Sequence, residues 1–230
     1  MLSATNGNRT SQKEMAYQDL RNKIIMLELK PGADISENWL SKVYSLSRTP
    51  IREILKRLQD EYLVEIIPQS GSRVTKIDTK LISETLFMRY CLEKEVVRLI
   101  AAAPNPQVIS ALKNNIDLQK FYYQREMIVE FHQVDNDFHK LLYTHTNKPH
   151  IYDILCSVSA HYDRIRLLRI LVEKSTKIEK YISDHEKILN IIAGDITTNE
   201  IDHVVSAHIL EAESELLEQG KKLGLSAYFK

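Results

Sequence analysis

Apolar residues recur along this chain at helical spacing, with one interruption between residues 63 and 76. From about 11 to 29, Met15, Tyr17, Leu20, Ile24, Ile25 and Leu27 fit an amphipathic helix, which Pro31-Gly32 ends. Ile35-Ser36-Glu37 opens a short second helix, with Ser36 as its N-cap and Trp39, Leu40 and Val43 turned inward. Ser45-Leu46-Ser47 reads as a tight turn. A third helix then runs to about Glu61. Ile51, Ile54, Leu55 and Leu58 form its inner stripe, Pro50 suits its first turn, and Ser47 or Thr49 can cap it. The interruption consists of two β-prone runs, Leu63-Val64-Glu65-Ile66-Ile67 and Ser72-Arg73-Val74-Thr75-Lys76. They flank Pro68-Gln69-Ser70-Gly71 and predict a hairpin. Beyond Asp78 the strand signals stop. Helices are predicted at about 79–102, 106–123, 127–145, 149–171, 176–193 and 198–219. Pro104-Asn105-Pro106, Asn147-Lys148-Pro149 and Gly194-Asp195 break them, and Thr197 with Glu200 offers a capping box.

This pattern divides the chain into an unstructured tail at 1–10, a winged helix-turn-helix at 11–77, an all-helical body at 78–220 and a loose tail at 221–230. Short connections imply antiparallel packing of the body helices as a bundle. The fold class is mainly α.

Composition changes this picture in one respect. Of 230 residues 43% are hydrophobic, enough for real cores, and the formal net charge is zero. Residues 1–76 nevertheless hold 12 Lys+Arg against 9 Asp+Glu, a balance of +3, and residues 77–230 hold 19 against 22, a balance of −3. The third helix concentrates the basic charge in its stretch up to Arg57, where Arg48, Arg52, Lys56 and Arg57 stand against Glu53 alone. A short helix, a turn and a basic second helix are the layout that sets a recognition helix in a DNA major groove. A hairpin directly after it is a wing, able to bring Ser70, Gly71 and Arg73 near the DNA backbone. Cys91 and Cys156 sit in apolar helical patterns and read as reduced core thiols. No apolar run reaches the roughly 18–20 residues needed to span a bilayer, and the polar N-terminal stretch has no secretory h-region. A cytoplasmic protein is expected. With six glycines and no Gly-rich phosphate loop, nucleotide chemistry is not.

The candidate chemistry of the body lies in its eight histidines. Asp135 and His139 are four apart and share a helix face, while His185 and His208 each sit on the apolar side of a different helix. Three helices offering imidazoles and a carboxylate to a bundle interior make a plausible metal site. Spacing alone does not select this set, because His132 lies seven before His139 on nearly the same face. His203, five before His208, is expected to be exposed.

The run Leu46-Ser47-Arg48-Thr49-Pro50-Ile51-Arg52-Glu53-Ile54-Leu55-Lys56-Arg57-Leu58, with Arg21…Ile24 and Leu29-Lys30-Pro31-Gly32 before it, resembles the winged-helix head of the GntR family of bacterial transcription regulators. The body resembles the FadR C-terminal (FCD) effector domain of that family in its six-helix form. Asp135-Asn136-Asp137-Phe138-His139 matches the pattern Asp-x-x-Phe-His, and His185 and His208 match its two later histidines. The likeness spans about residues 12–220. It implies that Ser47, Arg48, Thr49 and Arg52 meet double-stranded operator DNA, with Gly71 at the wing tip. It also implies that Asp135, His139, His185 and His208 hold one divalent cation. Ligand type leaves Zn²⁺, Ni²⁺ and Mn²⁺ open.

A small carboxylate effector would then bind the metal beside a cation: Arg89, which stands where relatives have a pocket arginine, or the weaker candidate Arg164. The alternative for Arg89 is an ion pair with Glu93. Arg166 and Arg169 are expected to face solvent, and Phe87, Tyr90, Tyr143 and Tyr162 to pack the bundle. A homodimer is expected, since one short recognition helix reads too few bases alone. The resemblance implies a regulator, more often a repressor, rather than an enzyme. A metal-independent sensor and a metal-dependent hydrolytic enzyme remain as alternatives, the second without any motif that places a general base. Three departures from the family stand out: Ser45 and Tyr62 occupy positions that are commonly glycine, and Asn38 one that in some relatives is a DNA-contacting arginine.

Overall fold

Two hydrophobic cores form, one on each side of the segment 75–76. The computed structural model of the chain describes residues 3–172, 176–210 and 226–230. The head holds helix α1 (Ser3–Ile25), strand β1 (Asp34–Ile35), helices α2 (Glu37–Tyr44) and α3 (Arg48–Asp60), and strands β2 (Val64–Ile67) and β3 (Gly71–Val74). Residues 3–10, expected as a tail, carry helical backbone as the start of α1.

The head core gathers the inner stripes of α1 and α3, Leu20 and Ile24 against Ile51, Ile54, Leu55 and Leu58. Burying each such side chain contributes roughly 1.5–3 kcal/mol. Helix α2 adds Leu40 alone. Trp39 and Val43, expected inward, are exposed, because an eight-residue helix leaning on α3 buries one narrow stripe. Ser36 caps α2 as expected, accepting from the Trp39 amide at 3.1 Å. Ser47 takes the N-cap position of α3, but its side chain makes no cap hydrogen bond. The predicted hairpin forms the wing, with Val64 opposite Val74 and Ile67 opposite Gly71. The two-residue strand β1, which is too short to carry any periodic signal, pairs antiparallel with the other edge of β3.

The body contains α4 (Thr79–Ala102), α5 (Pro106–Gln124), α6 (Ile128–His145), α7 (Pro149–Val158), α8 (Ala160–Val172), α9 (Thr176–Ala193) and α10 (Ile201–Ile209). The helix expected over 149–171 is thus two helices. They part at Ser159, whose hydroxyl donates to the Leu155 carbonyl at 2.6 Å. A hydroxyl bonded back to the preceding turn bends a helix. A 3₁₀ turn over Thr198–Glu200 replaces the expected capping box before α10, and the predicted continuation to 219 lies outside the described residues. Phe87, expected to pack in the bundle, is 69% exposed, whereas Tyr143 and Tyr162 are buried.

The last five residues are not loose. The Ile77 amide donates to the Tyr228 carbonyl at 2.7 Å, and the Lys230 amide to the Ile77 carbonyl at 3.1 Å. Lys230 also pairs with Asp78 at 2.9 Å. Among the described residues no helix is long and apolar enough to cross a membrane.

Candidate DNA interface and metal centre

Ser47, Arg48, Thr49 and Arg52 lie exposed along the first turns of α3, opposite its buried stripe. Arg48 donates to the Asn38 side chain at 3.1 Å. Arg52 spans both oxygens of Glu37 from Nε, at 2.9 and 3.0 Å. Both partners belong to α2, so the helix before the turn orients the two arginines of the helix after it. Such exposed pairs are worth little in water and exchange readily for phosphates or base edges. Gly71 sits at the start of β3 with φ +108°, a conformation that favours glycine. Arg73 on the same strand pairs with Asp34 of β1 at 2.8 Å.

In the body, His139 of α6, His185 of α9 and His208 of α10 converge. The Nε2 of His208 is 3.2 Å from that of His185 and 3.4 Å from that of His139. The other ring nitrogens of His139 and His185 point outward to acceptors. His139 Nδ1 meets Glu93 Oε2 of α4 at 2.7 Å, and His185 Nδ1 meets Gln119 Oε1 of α5 at 2.8 Å. His208 Nδ1 and Asp184 Oδ2 are both buried without a hydrogen-bond partner, 3.9 Å apart. Glu93 is itself held by Arg89, at 2.5 Å.

An imidazole that donates from Nδ1 presents a bare lone pair at Nε2. Burial pushes all three histidines well below the usual imidazole pKa, which favours the neutral rings that can bind a metal. The outer partners direct the Nε2 lone pairs of His139 and His185 inward, where His208 Nε2 meets them. Metal–nitrogen bonds of about 2.0–2.1 Å in tetrahedral array separate the nitrogens by about 3.3–3.4 Å, close to the spacing here. The three histidines therefore fit a divalent ion.

Asp135 stands one step back. Its Oδ1 is 3.9 Å from His185 Nε2, while Arg166 grips its Oδ2 at 2.6 Å. Burial is the largest influence and raises this carboxyl, but Arg166, His139, His208 and Arg89 together hold the group below its ordinary value. His132, the competitor on the same face, is turned to Arg166 at 3.1 Å and does not join the cluster. His203 is exposed, as expected.

The cations are arranged differently from the sequence expectation. Arg89 is buried and engaged with Glu93, the ion pair named as its alternative. Arg164 is fully buried, but it points to the head–body junction, where it donates to the Thr75 carbonyl at 2.6 Å. Arg166, expected in solvent, is buried beside the histidines, and the side chain of Arg169 lies outside the described residues. A void of only about 10 Å³, room for about one water, lies there, bounded by Arg166, Asp135, His139, His208, Phe131 and two tyrosines. Periodicity along α8 could not identify Arg166, because α8 is buried on several faces at once.

The sequence pattern of the bacterial regulatory proteins of the gntR family matches residues 12–74, and that of the FCD domain matches residues 84–197. An uncharacterized HTH-type transcriptional regulator in an unstable DNA locus of Streptomyces ambofaciens is 30% identical over 197 residues, 85% of this chain and 80% of that protein. The chain belongs to the GntR family, with an FCD domain. The HTH-type transcriptional repressor RspR of Escherichia coli K12 is 29% identical over 155 residues, 67% of this chain and 68% of RspR. McbR/YncC of E. coli shares the fold, with a TM-score of 0.75 over 90% of this chain and 98% of that one at 18% identity. The GntR chain is thus a transcription regulator and not an enzyme, with an FCD effector-binding domain joined to its DNA-binding head.

Proposed function

We propose that this GntR-family protein is a repressor that binds a two-fold operator as a homodimer in the cytoplasm, and that a small organic acid bound at a divalent metal in the FCD domain controls its DNA affinity. One observation carries the proposal: the Nε2 atoms of three buried imidazoles converge on a common point, beside a buried arginine. His139, His185 and His208 would hold the ion, and Asp135 is the carboxylate within reach. Zn²⁺, Ni²⁺ and Mn²⁺ all suit such a set. The ion would supply positive charge for a carboxylate oxygen, and Arg166, now held by Asp135, a second charged contact once the surrounding side chains part to admit the acid.

On the DNA side, Ser47 and Thr49 can donate to phosphates while Arg48 and Arg52 reach guanine edges, with Gly71 at the wing. The repressor reading is supported by the name of RspR, the two-fold operator by the small number of bases one recognition helix can read.

Elemental analysis of the purified protein tests the centre. About one divalent ion per chain is expected, and its loss in His139→Ala/His185→Ala; metal retained at full stoichiometry in that variant would refute the ligand set. Thermal-shift screening of the metal-loaded protein against small carboxylates tests the effector class, because a ligand that binds only the folded state raises the melting temperature.

A further inference from the structure

The amide of Gln119 is completely buried on α5, and no part of the DNA-binding or effector reading uses it. Its partners form a directed chain. The Asn115 Nδ2 donates to the Val134 carbonyl at 3.0 Å. A carbonyl can only accept, so Asn115 must turn its amide nitrogen there and its oxygen inward. Gln119 Nε2 then donates to that Asn115 oxygen at 2.7 Å. This leaves Gln119 Oε1, an acceptor alone, facing His185 Nδ1 at 2.8 Å. His185 must carry its proton on Nδ1, and its Nε2 is a bare lone pair directed at His208 and His139. A backbone carbonyl on α6 thus dictates the tautomer of a ring on α9, through two amides on α5.

We propose that Gln119, anchored by Asn115, is a positioning residue that presets His185 as a metal ligand before any ion arrives. The proposal rests on the metal reading above. Ordinary packing would not account for this arrangement. A buried amide left half-satisfied costs about 1–3 kcal/mol, so an apolar residue would serve packing better unless all its bonds are made and used. His139 has an ionised carboxylate as its outer partner, tied to Arg89. His185 has a neutral amide, which fixes the tautomer without adding negative charge to the interior. Removing outer partners of this kind weakens metal binding by roughly 10- to 100-fold.

The experiment compares full-length wild type, Gln119→Met and Gln119→Glu, with Zn²⁺ as the probe. Zinc affinity is read by competition with a chromophoric chelator. Long-range ¹H–¹⁵N correlation of the metal-free protein reads the His185 tautomer. The expected result is an Nδ1–H His185 in the wild type and in Gln119→Glu, whose carboxylate still accepts the ring proton although it loses the bond to Asn115 Oδ1. Zinc affinity in Gln119→Glu should lie nearer to wild type than in Gln119→Met. Gln119→Met should show mixed tautomers and zinc binding weaker by roughly 10- to 100-fold. Zinc binding by Gln119→Met equal to wild type, or an Nε2–H His185 in the metal-free wild type, overturns the inference while leaving the metal centre standing. A wild type that binds no zinc overturns the metal reading, and this inference with it. Should Gln119→Met fail to fold, the wild-type tautomer and the Gln119→Glu affinity still decide.

Discussion

At the scale of single residues, the two candidate sites place opposite demands on their charges. Arg52 is 65% exposed and its pair with Glu37 lies in water, so losing it costs the fold little. Arg52→Ala is therefore expected to leave the circular dichroism spectrum and melting temperature nearly unchanged. Specific operator binding in a gel-shift assay should fall by about 1–3 kcal/mol, or roughly 5- to 150-fold. Unchanged affinity would remove Arg52 from the recognition face. Arg166 and Arg89 are the reverse case. Each is buried against a carboxylate, Asp135 or Glu93, and removing one partner strands the other charge in low dielectric. The exposed face of the candidate DNA residues was legible in the sequence because exposed charges obey local spacing. Arg166 was not, since nothing in its neighbourhood along the chain distinguishes a buried cation from a solvated one.

At the scale of elements, the turns on either side of α3 carry strained backbone. Ser45 adopts φ +52° and Tyr62, after α3, φ +61°, the left-handed region in which a side chain is strained and glycine is not. These are the two positions where the family commonly has glycine, so the backbone keeps the conformation while the residue has changed. Ser45→Gly relieves this strain but also frees the unfolded chain, and the net expected gain is about 0.5–1 kcal/mol in chemical denaturation. A loss of stability would mean that the serine side chain compensates locally. Sequence periodicity located helices α4, α5, α6 and α9 to within about a residue at each end, because proline and glycine punctuate them. It merged α7 with α8, whose division at Ser159 depends on a side-chain hydrogen bond and on packing, not on a helix breaker.

Across the whole molecule, α8 ties the two parts together. Ala160 enters the head core, Arg164 holds the Thr75 carbonyl, and His161 bridges head and body. The His161 Nδ1 accepts from the Asp78 amide, and its Nε2 donates to the carbonyl of Tyr62 at the end of the recognition helix, both at 3.0 Å. The largest cavity among those found, about 640 Å³, opens beside this junction rather than at the histidine cluster. Burial, with Arg164 nearby, pushes His161 down to about 4, against about 6.5 in an unfolded chain. The fold favours the neutral ring, so its contribution is fully present above about pH 6.5 and is lost as pH falls toward 4. For this residue the expected loss at pH 5 is about 2 kcal/mol, and His161→Gln should flatten the decline in urea unfolding between pH 7 and 5. An unaltered slope would exclude His161 as its source. The sequence by itself determined the two-part organisation, the winged head and the identity of the histidines, because periodicity, turn chemistry and a sustained motif are local properties of a chain. Only the tertiary structure decided which side chains meet: Gln119 and Glu93 behind the rings, Arg166 against Asp135, Arg164 at the junction. Those contacts join helices 30 to 90 residues apart, and their geometry is set by packing in three dimensions.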